Sequence, residues 1–231
     1  MQTTRRSFSK AALAAVGAAA TTAAISDSAL AEETTVIRLN VPQRQGSFAV
    51  EHAISLRRSV RGFREGALTE DQLGQLLWAA QGITARDGKR AAPSAGALYP
   101  LEVYVLCGNV GTLVSGVYRY RPRSHDLMLV AAGRLHEELV AAARHQEWIL
   151  TAPAVICIAT VFERTTPKYG NRGRGYVYME AGAAAENLML QAVAVGLATT
   201  MVGAFDDDEV KQLLHLAPNE IPLCLLPVGA H

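Results

Sequence analysis

"RAAPSAGALYPLEVYVL", residues 90–106, runs an almost side-chain-free loop straight into a strand. Ala91, Ala92, Ser94, Ala95, Gly96 and Ala97 leave the backbone nearly uncovered, and such a loop packs tightly under a helix or lets a flat ligand lie directly against it. Tyr99-Pro100 then opens a β-branched and aromatic run, residues 102–107, that reads as a strand. A serine-hydrolase elbow is a poor alternative, because Ala92 stands where that turn needs glycine and no strand leads into it.

Working outward, residues 47–57 read as a helix through Val50, Ala53, Ile54 and Leu56. Residues 69–81 read as a second, with Thr69 and Gln72 spaced as a capping box and Gly82 as the stop. Downstream, residues 117–121 and 127–131 read as strands joined by the hairpin-like "PRSHD". A helix over 135–143, a buried strand "AVICIAT" over 154–160 and a long helix over 178–195, ended by Gly196, follow. Strands over 198–202 and 223–228 flank a helix over 209–214, whose preceding "DDD" suits a positive helix N-terminus. Non-consecutive strands covered by helices, one of them long and central, predict a single α+β domain over residues 36–231.

The composition is that of an ordinary globular chain, with 50% hydrophobic residues and a formal net charge of +1. Without a basic field, nucleic acid is a poor partner and a small molecule a better one. Cys107, Cys157 and Cys224 are odd in number and lack C-x-x-C spacing, which argues against a disulfide framework and a zinc site and for buried spectators. "HEELV" at His136 lacks the second histidine of a zinc-protease helix. "GNRGRG", residues 170–175, has neither the preceding strand nor the following acid of a dinucleotide fingerprint and reads as a flexible loop. No Walker phosphate loop occurs, and no metal site is expected.

The first 31 residues read as an address rather than as fold. "TTRRSFSK" carries Arg5, Arg6 and Lys10 without an acid, a mild apolar run over 11–25 follows, and Ala29-Leu30-Ala31 is a small-x-small cleavage site. The pattern resembles a twin-arginine export signal and predicts a periplasmic or extracellular protein. Its apolar run is shorter than the roughly 20 residues a spanning helix needs, so no stable membrane span is expected.

"SLRRSVRGF", residues 55–63, sets Arg57, Arg58 and Arg61 around Ser59. Arginines closing a helix complement its dipole without any ligand, yet guanidinium groups plus a hydroxyl also match the oxygens of a phosphate. In order along the chain, "RRSVRGF", "LLWAAQGIT", "APSAGALYPLEVYV", "KYGNRG" and "MEAG" resemble the SagB-type dehydrogenases, a branch of the nitroreductase-like flavin oxidoreductases. The resemblance covers nearly all of the mature chain.

It implies a nitroreductase-like α+β fold: a central mixed, mainly antiparallel sheet flanked by helices, with a long central helix at the interface of a homodimer. It further implies FMN, with Arg57, Arg58, Ser59 and Arg61 matching the phosphate-binding segment and Pro93, Ser94, Ala95 and Gly96 the loop beside the flavin. Val202 and Gly203, in "MVGAF", match the segment lining the flavin ring. In azoline-oxidising members a Lys-Tyr pair matching Lys168 and Tyr169 removes a proton while the flavin takes a hydride. A lysine desolvated beside a pocket can serve as such a base, but the residues alone leave equal room for a solvated loop cation and a packing tyrosine. Met179, Glu180, Leu188, Leu190 and Gln191 read as core or dimer face, and Trp78 and Trp148 as core or interface. Two departures from the family are Ala183, where many relatives have histidine, and an end at "PVGAH" without the further arginine of some nitroreductases, which leaves phosphate neutralisation to the arginine cluster. Two other functions stay open: an NAD(P)H-dependent nitro or quinone reductase, and a non-catalytic flavin-binding subunit.

Overall fold

The computed structural model describes residues 35–231, so the export signal read in residues 1–31 lies outside the described residues. Seven strands form one sheet: β1 (Val36–Arg38), β2 (Leu101–Cys107), β3 (Gly116–Arg121), β4 (Asp126–Ala132), β5 (Ala154–Thr160), β6 (Ala198–Thr199) and β7 (Ile221–Gly229). Their order is β1-β4-β3-β2-β5-β7-β6, and every named pair is antiparallel. Parallel pairing enters only as isolated bridges, Ser59 with Thr199 and Leu68 with Val110 among the described residues.

Strand alternation sorts the core into two layers. Val103, Val105, Ile156, Ile158, Leu226 and Val228 join the cluster that includes Leu73, Leu76, Leu77, Ala184 and Leu188. Those partners belong to α2 (Glu70–Gln81) and α5 (Arg172–Ala194). Tyr104, Leu106, Val155, Cys157 and Leu225 face the other way, against Leu139, Val140 and Val210, which belong to α3 (His136–Ala142) and α6 (Asp207–Leu213). Because β5 is covered on both faces, all seven residues of AVICIAT are buried, which is why it reads as a continuous apolar run. Cys107, Cys157 and Cys224 are free thiols within these layers.

The capping box at Thr69 and Gln72 is present in full and α2 stops at Gly82. Asp206 caps α6 by accepting from the amides of Asp208 and Glu209. The first helix, α1 (Val50–Leu56), is shorter than the expected span, with Arg57 as its C-cap.

One local expectation is overturned. "GNRGRG" is not a flexible loop: α5 begins at Arg172, six residues ahead of the predicted start, directly after the short α4 (Thr166–Tyr169). The glycines serve packing. A Cβ on Gly173 would stand 2.9 Å from the Thr166 Cα, so only glycine lets the start of α5 lie this close to α4. Gly170 supplies the left-handed residue, φ 53°, that turns the chain between them.

Candidate functional site

Polar chemistry gathers at two places along α5. At the first, the chain leaves α1 at Arg57 and passes Ser59, which bridges Thr199 of β6, while the Val60 amide donates to the Thr199 carbonyl at 3.2 Å. This pairing sets Arg57 and Arg58 over the end of α5, where they line a cavity of about 250 Å³ with Met189, Gly196, Leu197 and Thr199. Thr199 is buried, and its hydroxyl has no hydrogen-bond partner among the described residues. Arg58 Nη1 donates to the carbonyls of Ser55 and Arg57, at 3.0 and 2.7 Å, and Arg57 Nε lies 3.8 Å from Glu186 Oε1. Two guanidinium groups beside a hollow make a donor set suited to an anion. His231 lines the same cavity. Ser59 and Arg61 are exposed outside that lining; Ser59 contributes its backbone bridge.

At the second place lies the bare loop. Gly96, Ala97 and Tyr99 all have positive φ, 62°, 54° and 46°, of which only the first is cost-free. The turn is held from its far end: the Tyr99 amide donates to Ser94 Oγ at 2.9 Å and Arg164 Nη1 donates to the Tyr99 carbonyl at 3.0 Å. The Arg90 guanidinium lies 4.6 Å from the centre of the Tyr99 ring. Lys168 and Tyr169 come to this loop from α4. A Cβ on Gly96 would stand 2.7 Å from Tyr169 Oη and 2.8 Å from Lys168 Nζ, so both polar tips rest against the Gly96 backbone. Pro93 and Ala95 sit on the same loop, exposed and half-buried.

Val202 and Gly203 occupy a third position, after β6. Val202 is buried and exchanges backbone hydrogen bonds with Leu225, 2.8 and 2.9 Å, whereas Gly203 is exposed with open space where a Cβ would stand. Trp78 lines an apolar groove between α1, α2 and α5, and Trp148 packs on the second core layer.

Glu180 is the polar residue that the sequence reading assigned to core or dimer face and that the structure places at the loop. It is 3% exposed, on the buried stripe of α5 between Val177 and Ala184, and its Oε1 has no hydrogen-bond partner among the described residues. Burial pushes its carboxyl up to about 7, against the opposing pull of the Ser94 hydroxyl and the Arg90 charge. An acid in phase with an apolar helical stripe was the available signal. From Glu180 under the loop to Met189 in the arginine-lined cavity, α5 rises by about 14 Å at 1.5 Å per residue. A ligand with a charged tail and a flat head is what such a spacing accommodates.

A sheet covered by helices on both faces, with an arginine-lined cavity and a bare loop met by a lysine and a tyrosine from α4, is the frame of an oxidoreductase of the nitroreductase fold. The sequence pattern of the nitroreductase family matches residues 54–230, and the chain belongs to that family. A protein of Methanocaldococcus jannaschii bearing a nitroreductase name is 43% identical over 180 residues, 78% of this chain and 90% of the relative. The microcin B17-processing protein McbC of Escherichia coli is 32% identical over 135 residues, 55% of this chain and 49% of its own length. Among solved structures, a nitroreductase-named protein of Ralstonia eutropha superposes with a TM-score of 0.75 at 28% identity, covering 84% of this chain and 89% of that one. The E. coli microcin synthetase McbBCD complex with truncated pro-MccB17 superposes at 0.67 and 25% identity, covering 87% of this chain and 79% of that one.

Proposed function

We propose that this protein is an exported, homodimeric FMN-dependent dehydrogenase of the SagB type, acting on a small organic or peptide-borne heterocycle. The observation that carries the reading is the seating of Lys168 Nζ and Tyr169 Oη against the left-handed Gly96 backbone. A base and a hydroxyl are thereby delivered to a surface with no side chain of its own. FMN fits the residues present: its phosphate suits the cavity lined by Arg57 and Arg58, and its ring suits the 93–96 loop with Val202 and Gly203. Bound there, FMN supplies a hydride acceptor. Arg57 and Arg58 bind the phosphate, with Ser59 and Arg61 in the same segment. Lys168, with Tyr169 beside it, takes the substrate proton as the hydride leaves, so one C–H pair of electrons and one proton depart together and the ring gains a double bond.

The likeness to McbC, a microcin-processing protein, supports a peptide-borne substrate. The apolar surfaces of α1 (Val50, Ile54, Leu56) and of α5 (Tyr178, Met179) are exposed in a single chain and suit a second copy. Export rests on the twin-arginine pattern of residues 1–31. The 43% identity to a nitroreductase-named relative favours a second reading, reduction of nitro compounds or quinones. Purified mature protein separates the possibilities: a flavin spectrum that bleaches anaerobically with an azoline peptide supports the dehydrogenase, bleaching with NAD(P)H alone supports the reductase, and colourless protein that refuses FMN removes both.

A further inference from the structure

Glu180 has no task in the reaction just described, yet burying a carboxylate is costly unless it is paired, and Oε1 has no partner among the described residues. Its surroundings connect it to the loop. α5 packs against the 95–97 turn, and beside burial the groups that act on the Glu180 carboxyl are the Ser94 hydroxyl and the Arg90 guanidinium. Ser94 Oγ already accepts from the Tyr99 amide at 2.9 Å, and that bond holds the left-handed turn at Tyr99. Arg90 donates from Nη1 to Gln81 Oε1 at 2.8 Å, and its backbone amide donates to Tyr99 Oη at 3.3 Å. Beside burial, the titratable groups acting on Arg90 itself are Glu102, Glu180, Tyr99 and Arg164. Gln81, wholly buried on α2, has an amide nitrogen without a partner among the described residues. From α4, Lys168 and Tyr169 reach the same loop at Gly96.

We propose that Glu180 is a positioning residue for the 93–97 loop: the proton on its carboxyl sets the hydrogen bonding of Ser94 and the seat of Arg90, and through them how tightly the loop accepts the flavin. Protonated, the carboxyl donates to Ser94 Oγ or accepts from it, leaving Arg90 on Gln81 and Tyr99. Ionised, it is an acceptor only, so Ser94 must donate to it, and the new charge draws Arg90 towards α5. Ser94 can donate to the carboxylate and still accept from the Tyr99 amide, so the change falls on Arg90, which leaves the Tyr99 ring and slackens the turn that presents Gly96. Flavin affinity therefore falls as the proton leaves. This rests on the FMN reading above for its ligand, although the proton itself belongs to the protein alone.

Two measurements on the mature protein test it. Difference infrared spectroscopy of the apo protein is expected to show the C=O stretch of a protonated carboxyl that disappears between about pH 6 and 8, that is missing in Glu180→Gln, and whose midpoint rises in Ser94→Ala because the group favouring the charged form is gone. FMN binding, followed by quenching of flavin fluorescence, is expected to weaken over that range at least about fivefold more in the wild type than in Glu180→Gln, the phosphate's own titration being common to both. A wild type with no such band, or parallel affinity profiles in the two proteins, overturns the proposal. Ser94→Ala carries the first test should Glu180→Gln not fold. Failure of FMN to bind at any pH overturns the cofactor reading and the coupling with it, and is recognised by a carboxyl band that persists.

Discussion

Gly96 and Tyr169 meet backbone to hydroxyl: a methyl group on the glycine would stand 2.7 Å from the tyrosine Oη, with Lys168 Nζ at 2.8 Å on the same spot. Gly96→Ala therefore combines two costs. The left-handed φ of 62° penalises any Cβ by about 1–2 kcal/mol. The flexible ends of Lys168 and Tyr169 can retreat, but only by leaving the loop. We expect a modest fall in thermal midpoint and a much larger loss of turnover, measured on the same preparation. Unchanged turnover would detach the pair from the chemistry.

Lys168→Ala removes the proposed base and leaves the proposed cradle. Arg57, Arg58 and Thr199 line a separate cavity at the other end of the α5 segment, so flavin content is expected to stay at the wild-type level. Turnover on an azoline substrate should drop by about 10²–10⁴-fold, the usual range for a lost general base. Flavin absorbance against protein concentration gives the first quantity and steady-state rates give the second.

Arg57→Ala combined with Arg58→Ala should act in the opposite way, on occupancy. Each charge-assisted hydrogen bond to a phosphate contributes about 1.5–3 kcal/mol, so every lost contact weakens FMN by about 10- to 100-fold. Riboflavin, lacking the phosphate, is expected to bind both proteins alike. Equal loss for the two ligands would move the phosphate away from this cavity.

Much of this site was legible because its parts are local. The arginine run, the small-residue loop and the Lys-Tyr pair are each contiguous, and the Thr69–Gln72 cap and the AVICIAT strand follow from spacing and apolar content. What escaped depends on distant contacts. "GNRGRG" looks like a loop until Gly173 is seen against Thr166, because closeness of two backbones leaves no trace except the missing side chains. The three-residue β1 has too few side chains to show alternation, and is recognisable only from its pairing with β4. Glu180 carries the ordinary signature of a buried helical position; what distinguishes it is Ser94, eighty-odd residues away in sequence. Thr199 escaped because an unpartnered hydroxyl is a property of surroundings.

The raised Glu180 carboxyl also makes folding sensitive to pH. Its unfolded value is 4.5 and its folded value about 7, so between them the folded chain keeps a proton that the unfolded chain has released. Stability from this group is fully present below 4.5 and is lost as pH rises through about 7. The whole span corresponds to at most about 3 kcal/mol. Relative to the wild type, the urea midpoint of Glu180→Gln should therefore move in favour of about pH 8 over about pH 5. His125 and His136, held below their usual range by burial, give the opposite slope, losing stability as pH falls below 6.5, and they are common to both proteins.

The last expectation concerns α1, a helix of seven residues in which Ala53 is the one buried side chain. So short a helix has no appreciable stability of its own, and packing must hold it. Yet Val50 and Ile54, one turn apart on one side of Ala53, and Leu56 on its other side are 56%, 59% and 50% exposed, an apolar surface turned outward directly before Arg57. A second copy of the chain covering that surface would fix α1 and, with it, the arginines it leads into. Ile54→Asp places a charge on that surface and touches none of the site residues. Sedimentation should show a dimer in the wild type and a monomer in the variant, and the monomer should bind FMN more weakly although every arginine is intact. A dimer that survives Ile54→Asp with full flavin would mean that α1 faces solvent and that the cradle is complete within one chain.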